Sequence, residues 1–248
     1  MQYRTLLLTW FLLLQLVPAY SQDFVVINSS EAAYKPGQTF TVGDPIRLTA
    51  GAKVTLIAAA GNVVRLQGPH SGALSLPGTN DPGSSDALAP LSALVARAAG
   101  KSASLGATRE AEETGRGATS GQKTALWDID ALRPGSQCVR AGPLTLVRGN
   151  AVEDLQVTVW PLSGSKRIIN WPAGKSTVIL DETSDMISGT QLGIAGPNAS
   201  VAIILWRLPD EIDTTARGNV LLWLSGRRCE TQALQLAAEI ARPMVAPK

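Results

Sequence analysis

Carboxylates are the most plentiful catalytic material in this chain. Asp128 and Asp130, in Trp127-Asp128-Ile129-Asp130, would point to one side of an extended segment, and Asp181, Glu182 and Asp185 gather near the end of an apolar run. Groups of this kind build the acid–base pair of a glycosidase or a weak calcium site, and a hydrolase of this type requires Asp128, Asp130, Asp181 and Glu182 to meet in one cleft. Surface turns supply similar clusters by default. The single histidine, His70, stands in Gly68-Pro69-His70-Ser71-Gly72, where turn composition favours a solvated ring. Ser71 beside it does not make a nucleophile–base pair, because neighbouring residues do not aim at each other.

The segment GRGATSGQKT (115–124) has the glycine and lysine content of a phosphate loop, yet Gln122 separates Gly121 from Lys123 and breaks the frame. S-x-x-K occurs at Ser120/Lys123 and at Ser163/Lys166 without the K-T-G or S-D-N partners that a penicillin-binding site needs. These residues define no catalytic, cofactor or metal site. Six tryptophans against three tyrosines and three phenylalanines are an unusual ratio. Trp206 and Trp223 fit core positions. Trp160 and Trp171, each followed by proline at a strand end, are candidates for exposed platforms under a glycan or a partner's side chain.

Composition narrows the classes. The chain has 248 residues, 45% of them hydrophobic and only 17% charged, with a formal net charge of +2. Such a chain can bury a sizeable core and carries no field suited to nucleic acid or to a polybasic membrane contact. At the N-terminus Arg4 precedes an apolar run from Leu6 to Val17, then Pro18, with small residues at Ala19 and Ser21. The run is short for the ~20 residues of a membrane span, so residues 1–21 are read as a cleavable leader and the mature chain as periplasmic or secreted. In an oxidising compartment, Cys138 and Cys229 are expected to form a disulfide staple, and their spacing has no redox-active character.

The elements that position these residues follow from periodicity. Residues 22–77 alternate apolar and polar side chains between turn pairs such as Pro36-Gly37 and Gly61-Asn62, the pattern of an antiparallel sheet with one wet face. Residues 78–125 are rich in Gly, Ser, Thr and Ala and read as a low-complexity linker, with a short-helix pattern at 91–99. Residues 126–248 return to strands, among them VAIILW (201–206), apolar on both faces as a central strand requires. A helical tail spans 219–241 and is broken at Gly226-Arg227-Arg228. The expected fold is mainly β: two small antiparallel β regions, sandwich- or roll-like, a flexible linker, and a C-terminal helical hairpin.

The stretch 34–72 resembles the FecR-like periplasmic domain, through Gly43, Gly51-Ala52, Val54-Thr55-Leu56, Gly61 and the strand at 64–66. The resemblance implies a non-enzymatic sensor or scaffold module that binds an envelope protein or cell-wall component. This chain has a leader pattern where signalling members have a transmembrane helix, so no relay to a sigma factor is implied. The C-terminal part resembles uncharacterised exported proteins of proteobacteria.

Overall fold

A computed structural model describes residues 23–76, 85–107, 125–149, 151–161, 165–181, 188–189, 191–195 and 200–242. The leader pattern, the phosphate-loop-like segment and the Ser120/Lys123 pair lie outside the described residues, as do Ser163, Glu182 and Asp185. The fold is mainly β, in several small sheets, with two C-terminal helices packed together.

The N-terminal strands are β1 (Phe24–Ser29), β2 (Thr39–Phe40), β3 (Pro45–Leu48), β4 (Lys53–Ala58), β5 (Val63–Gln67) and β6 (His70–Ala73). They form a four-stranded sheet in the order β2-β1-β4-β5 and a two-stranded sheet β3-β6, all antiparallel. Gly61, at φ +82°, turns the chain between β4 and β5, as Gly61-Asn62 predicts. Phe24, Val26, Val54, Leu56 and Ala58 pack with Ile46, Leu48 and Leu74 between the two sheets. His70 begins a strand opposite Leu48 and does not sit in a turn, because the ladder with β3 reaches it.

The other face of the four-stranded sheet is not wet at its centre. Val25, Ile27, Ile57 and Ala59 are buried under three helices: α1 (Leu88–Ala107), α2 (Arg217–Gly226) and α3 (Glu230–Ala241). The alternation in 22–77 predicts a solvated face, and β1 departs from it with four successive buried residues, since tertiary contact from distant helices covers it. Helix α1 replaces the first part of the expected linker and is longer than the 91–99 pattern. Leu88, Leu91, Leu94 and Val95 line one stripe of it and enter the shared core, a burial that outweighs its small-residue composition. Pro90 is compatible with the start because the first turn needs no amide donor there. Ser92 donates to the Gly37 carbonyl at 2.6 Å, and Arg97 pairs with Glu230 at 2.8 Å, fastening α1 to the β1–β2 turn and to α3.

The C-terminal strands are β7 (Ile129–Asp130), β8 (Gly135–Val139), β9 (Leu144–Val147), β10 (Leu155–Pro161), β11 (Arg167–Trp171), β12 (Thr177–Leu180), β13 (Gln191–Ala195) and β14 (Ser200–Arg207). A five-stranded sheet, β11-β10-β13-β14-β8, packs on a three-stranded sheet, β12-β9-β7, through Val157, Val159, Leu192, Ile194, Ile203 and Leu205 against Ile129, Leu144, Leu146 and Leu180. Pairing is antiparallel except between β14 and β8 and between β7 and β9. The VAIILW run lies in β14, flanked on both sides.

The helices form a layer between the two β units. Cys138 of β8 and Cys229, at the break between α2 and α3, are bonded, with Cα atoms 5.8 Å apart and a sequence separation of 91. One core cluster therefore draws residues from each of the segments 22–77, 78–125 and 126–248. Among the described residues no helix is long and apolar enough to cross a membrane.

Candidate functional site

The site grows from the β10–β11 pair at the open end of the five-stranded sheet. Register places Leu155 opposite Trp171, Val157 opposite Ile169 and Thr158 opposite Ile168. Val157, Ile169 and Trp171 face the sandwich interior, so Gln156, Thr158 and Trp160 of β10, with Ile168 and Asn170 of β11, occupy the outer face. Gln156 donates to Asn170 across the pair at 3.1 Å. Among the described residues β11 is the terminal strand of its sheet, and Ile168, its second residue, is 67% exposed. An edge strand normally carries charge or a bulge at such a point. β12, next in the chain and terminal in its own sheet, repeats the feature with Ile179 at 68% exposure.

Trp160 completes the face. Its indole lies over Gly193, its register partner on β13, where any Cβ would overlap the ring. The Lys166 ammonium sits 5.7 Å from the ring centre, so a cation borders the apolar strip. Trp160 is half-exposed, consistent with a platform. Trp171 is not one. It is 1% exposed because it faces the sandwich interior, where the Arg148 guanidinium lies 5.1 Å from its ring centre.

Arg148 is the buried support of this edge. Its Nε donates to the Lys175 carbonyl at 3.1 Å and its Nη2 to that of Pro172 at 2.8 Å, which fixes the turn joining β11 to β12. The same turn is held by Asp154, which accepts from the Ala173 amide at 2.7 Å. Arg148→Met keeps the apolar stem, removes this donor from the Lys175 carbonyl and leaves the Pro172 carbonyl only the Lys175 amide. Urea unfolding should show a loss of about 2 kcal/mol, and an unchanged midpoint would contradict this role.

Of the four carboxylates that a hydrolase reading brings to one cleft, Asp128, Asp130 and Asp181 are among the described residues, and the three do not share one. Asp128 and Asp130 border one small cleft, yet each caps its own backbone. Asp128 accepts from the Ala125 amide at 2.8 Å, and Asp130 accepts from the Leu132 amide at 3.0 Å and pairs with Arg133 at 3.3 Å. Asp181 follows β12, at the edge of the three-stranded sheet opposite β7, and does not line that cleft. Among the described residues no three His, Cys, Asp or Glu side chains come close enough to hold a metal ion.

One carboxyl is electrostatically distinct. Asp213, ahead of α2, accepts from the Thr215 hydroxyl at 2.6 Å and from the Thr215 amide at 2.8 Å, and these bonds hold its pKa below the ordinary 3.8. A depressed carboxylate pKa contributes stability above the unfolded value, and that contribution is lost as pH falls through the folded one. Thr215→Val should therefore bring the Asp213 titration, followed by the NMR shift of its carboxyl carbon, up toward 3.8. An unmoved titration would show that the hydroxyl is not the cause.

Sequence reading missed Ile168 and Ile179, although a cue was present. In RIINW, Ile168 shares its parity with Asn170, and in TVIL, Ile179 shares its parity with Thr177. A β-branched apolar residue on the polar parity of a strand marks an exposed apolar point. No family model matches the chain, and no curated protein and no solved structure is significantly similar to it.

Proposed function

We propose that this chain is an exported, non-enzymatic binding or scaffold module of FecR-like type, which takes an extended segment of an envelope protein along β11. The observation that carries this reading is Ile168, an exposed β-branched residue beside the Trp160 face on a strand edge that no described strand pairs. An edge strand offers main-chain donors and acceptors to an added strand, and side chains on alternate positions give the selectivity. Ile168 would contact an apolar side chain of the partner, and Lys166 and Arg167 favour an acidic residue near its end. Export is supported by the leader pattern in residues 1–21 and by the Cys138–Cys229 bridge, a bond that persists in oxidising compartments. The FecR-like assignment is supported by the turn-and-strand order of residues 34–72, which form β2 to β6.

Crosslinking the tagged protein in intact cells, followed by its purification, tests this reading. A single envelope protein should co-purify with the wild type and be lost with Ile168→Lys, which places a charge on the apolar point of the edge. Equal recovery with both proteins would argue against docking at β11. Sedimentation with purified cell wall, indifferent to the substitution, would favour a polysaccharide ligand instead.

A further inference from the structure

We infer that the cleft between the β4–β5 hairpin and the C-terminal helices binds a small-molecule oxyanion, a phosphate or carboxylate group. The cleft has a volume of about 520 Å³, within the range of small-ligand sites. Three arginines from three elements border it: Arg65 of β5, Arg217 at the start of α2 and Arg242 at the C-terminal cap of α3. Among the described residues the single carboxylate in its lining is Glu239, which takes one bond from Arg217 at 2.5 Å. Arg65 spends one donor on the Ile240 carbonyl at 2.9 Å, which orients its guanidinium without neutralising it.

The position of Arg217 strengthens the case. A cation in the first turn opposes the helix dipole, and α2 has no acidic residue there and no side-chain cap. The Glu239 carboxylate offsets part of that repulsion, and an anion shared with Arg65 and Arg242 would offset more of it. Guanidinium forks match the paired oxygens of carboxylate and phosphate, and such charge-assisted bonds are the strong class. This site is separate from the β11 edge, so the two can fail independently.

The test is calorimetric titration of the full chain with inorganic phosphate and, in a second arm, with succinate, at constant ionic strength. Binding in either arm supports the site, and the tighter arm identifies the oxyanion. Arg242→Gln alters an exposed side chain and should weaken binding about ten-fold, the value of one charge-assisted bond, with its melting temperature in chloride unchanged. Glu239→Gln removes the opposing charge and should tighten binding a few-fold. No heat with either anion overturns the inference, and so does binding that is the same in both variants as in the wild type.

Discussion

Gly218→Ala is expected to destabilise the protein by about 3 kcal/mol, against the sign that helix propensity gives. Gly218 lies in the first turn of α2, where alanine is ordinarily preferred to glycine by up to about 1 kcal/mol. A Cβ at this position would overlap the carbonyl oxygen of Gly61, a backbone atom that cannot rotate away. The β4–β5 turn and the start of α2 cross there with no room for a methyl group, and Gly61 is equally confined by Asn219. Relief requires lifting the helix off the four-stranded sheet, which loosens Val220 and Leu221 in the shared core. Overpacking of this kind typically costs 1–3 kcal/mol, and an immovable backbone partner puts it at the upper end. A urea midpoint equal to or above that of the wild type would contradict the crossing.

Gln232→Leu is expected to lower stability by about 3–4 kcal/mol, because one side chain satisfies three backbone groups, the two of Cys138 buried and that of Leu126 partly so. Its Oε1 accepts from the Cys138 amide at 2.7 Å, and its Nε2 donates to the carbonyls of Cys138 and Leu126 at 2.6 and 2.7 Å. Cys138 lies on β8, the terminal strand of the five-stranded sheet, so the glutamine amide occupies the place of a further strand. Leucine has a similar volume and no polar atom, and each orphaned group costs about 1–3 kcal/mol. The disulfide joins the same two elements, and by restricting the unfolded chain it adds about 2–4 kcal/mol. The two devices share residue 138, so their losses should not add. In a double-mutant cycle with Cys138→Ala/Cys229→Ala, the combined loss should differ from the sum of the separate losses by at least about 0.5 kcal/mol. Strict additivity would mean that bridge and glutamine hold α3 independently.

Much of the architecture is legible in the residues because it depends on local periodicity. The alternation in Ile46 to Leu48 and Leu144 to Val147, the turn at Gly61-Asn62 and the break at residues 226–228 each declare their element within a few positions. What the sequence conceals is nonlocal. The buried stripe of α1 lies in a segment whose average composition resembles a linker, and only its packing against Val25, Ile57 and Val220 reveals that it belongs to the core. Trp171 and Trp160 look alike, each followed by proline at a strand end. The face each occupies separates them: Trp171 turns into the sandwich interior beside the buried Arg148, while Trp160 shares the outer face with Gln156 and Thr158. Asp128 and Asp130 suggest catalysis by type, while their hydrogen bonds are those of turn caps. The β11 edge leaves a faint trace, an isoleucine on the polar parity, which gains meaning once the sheet order shows that no described strand pairs beyond it.

Recognition along β11 can be read out by site-specific photocrosslinking in intact cells. A photoreactive amino acid would replace Ile168 and, as a control on another face, Val42, which is 48% exposed. Irradiation should yield one discrete adduct to an envelope protein from position 168 and none from position 42. Adducts of equal yield from both positions, or from position 42 alone, would contradict the account.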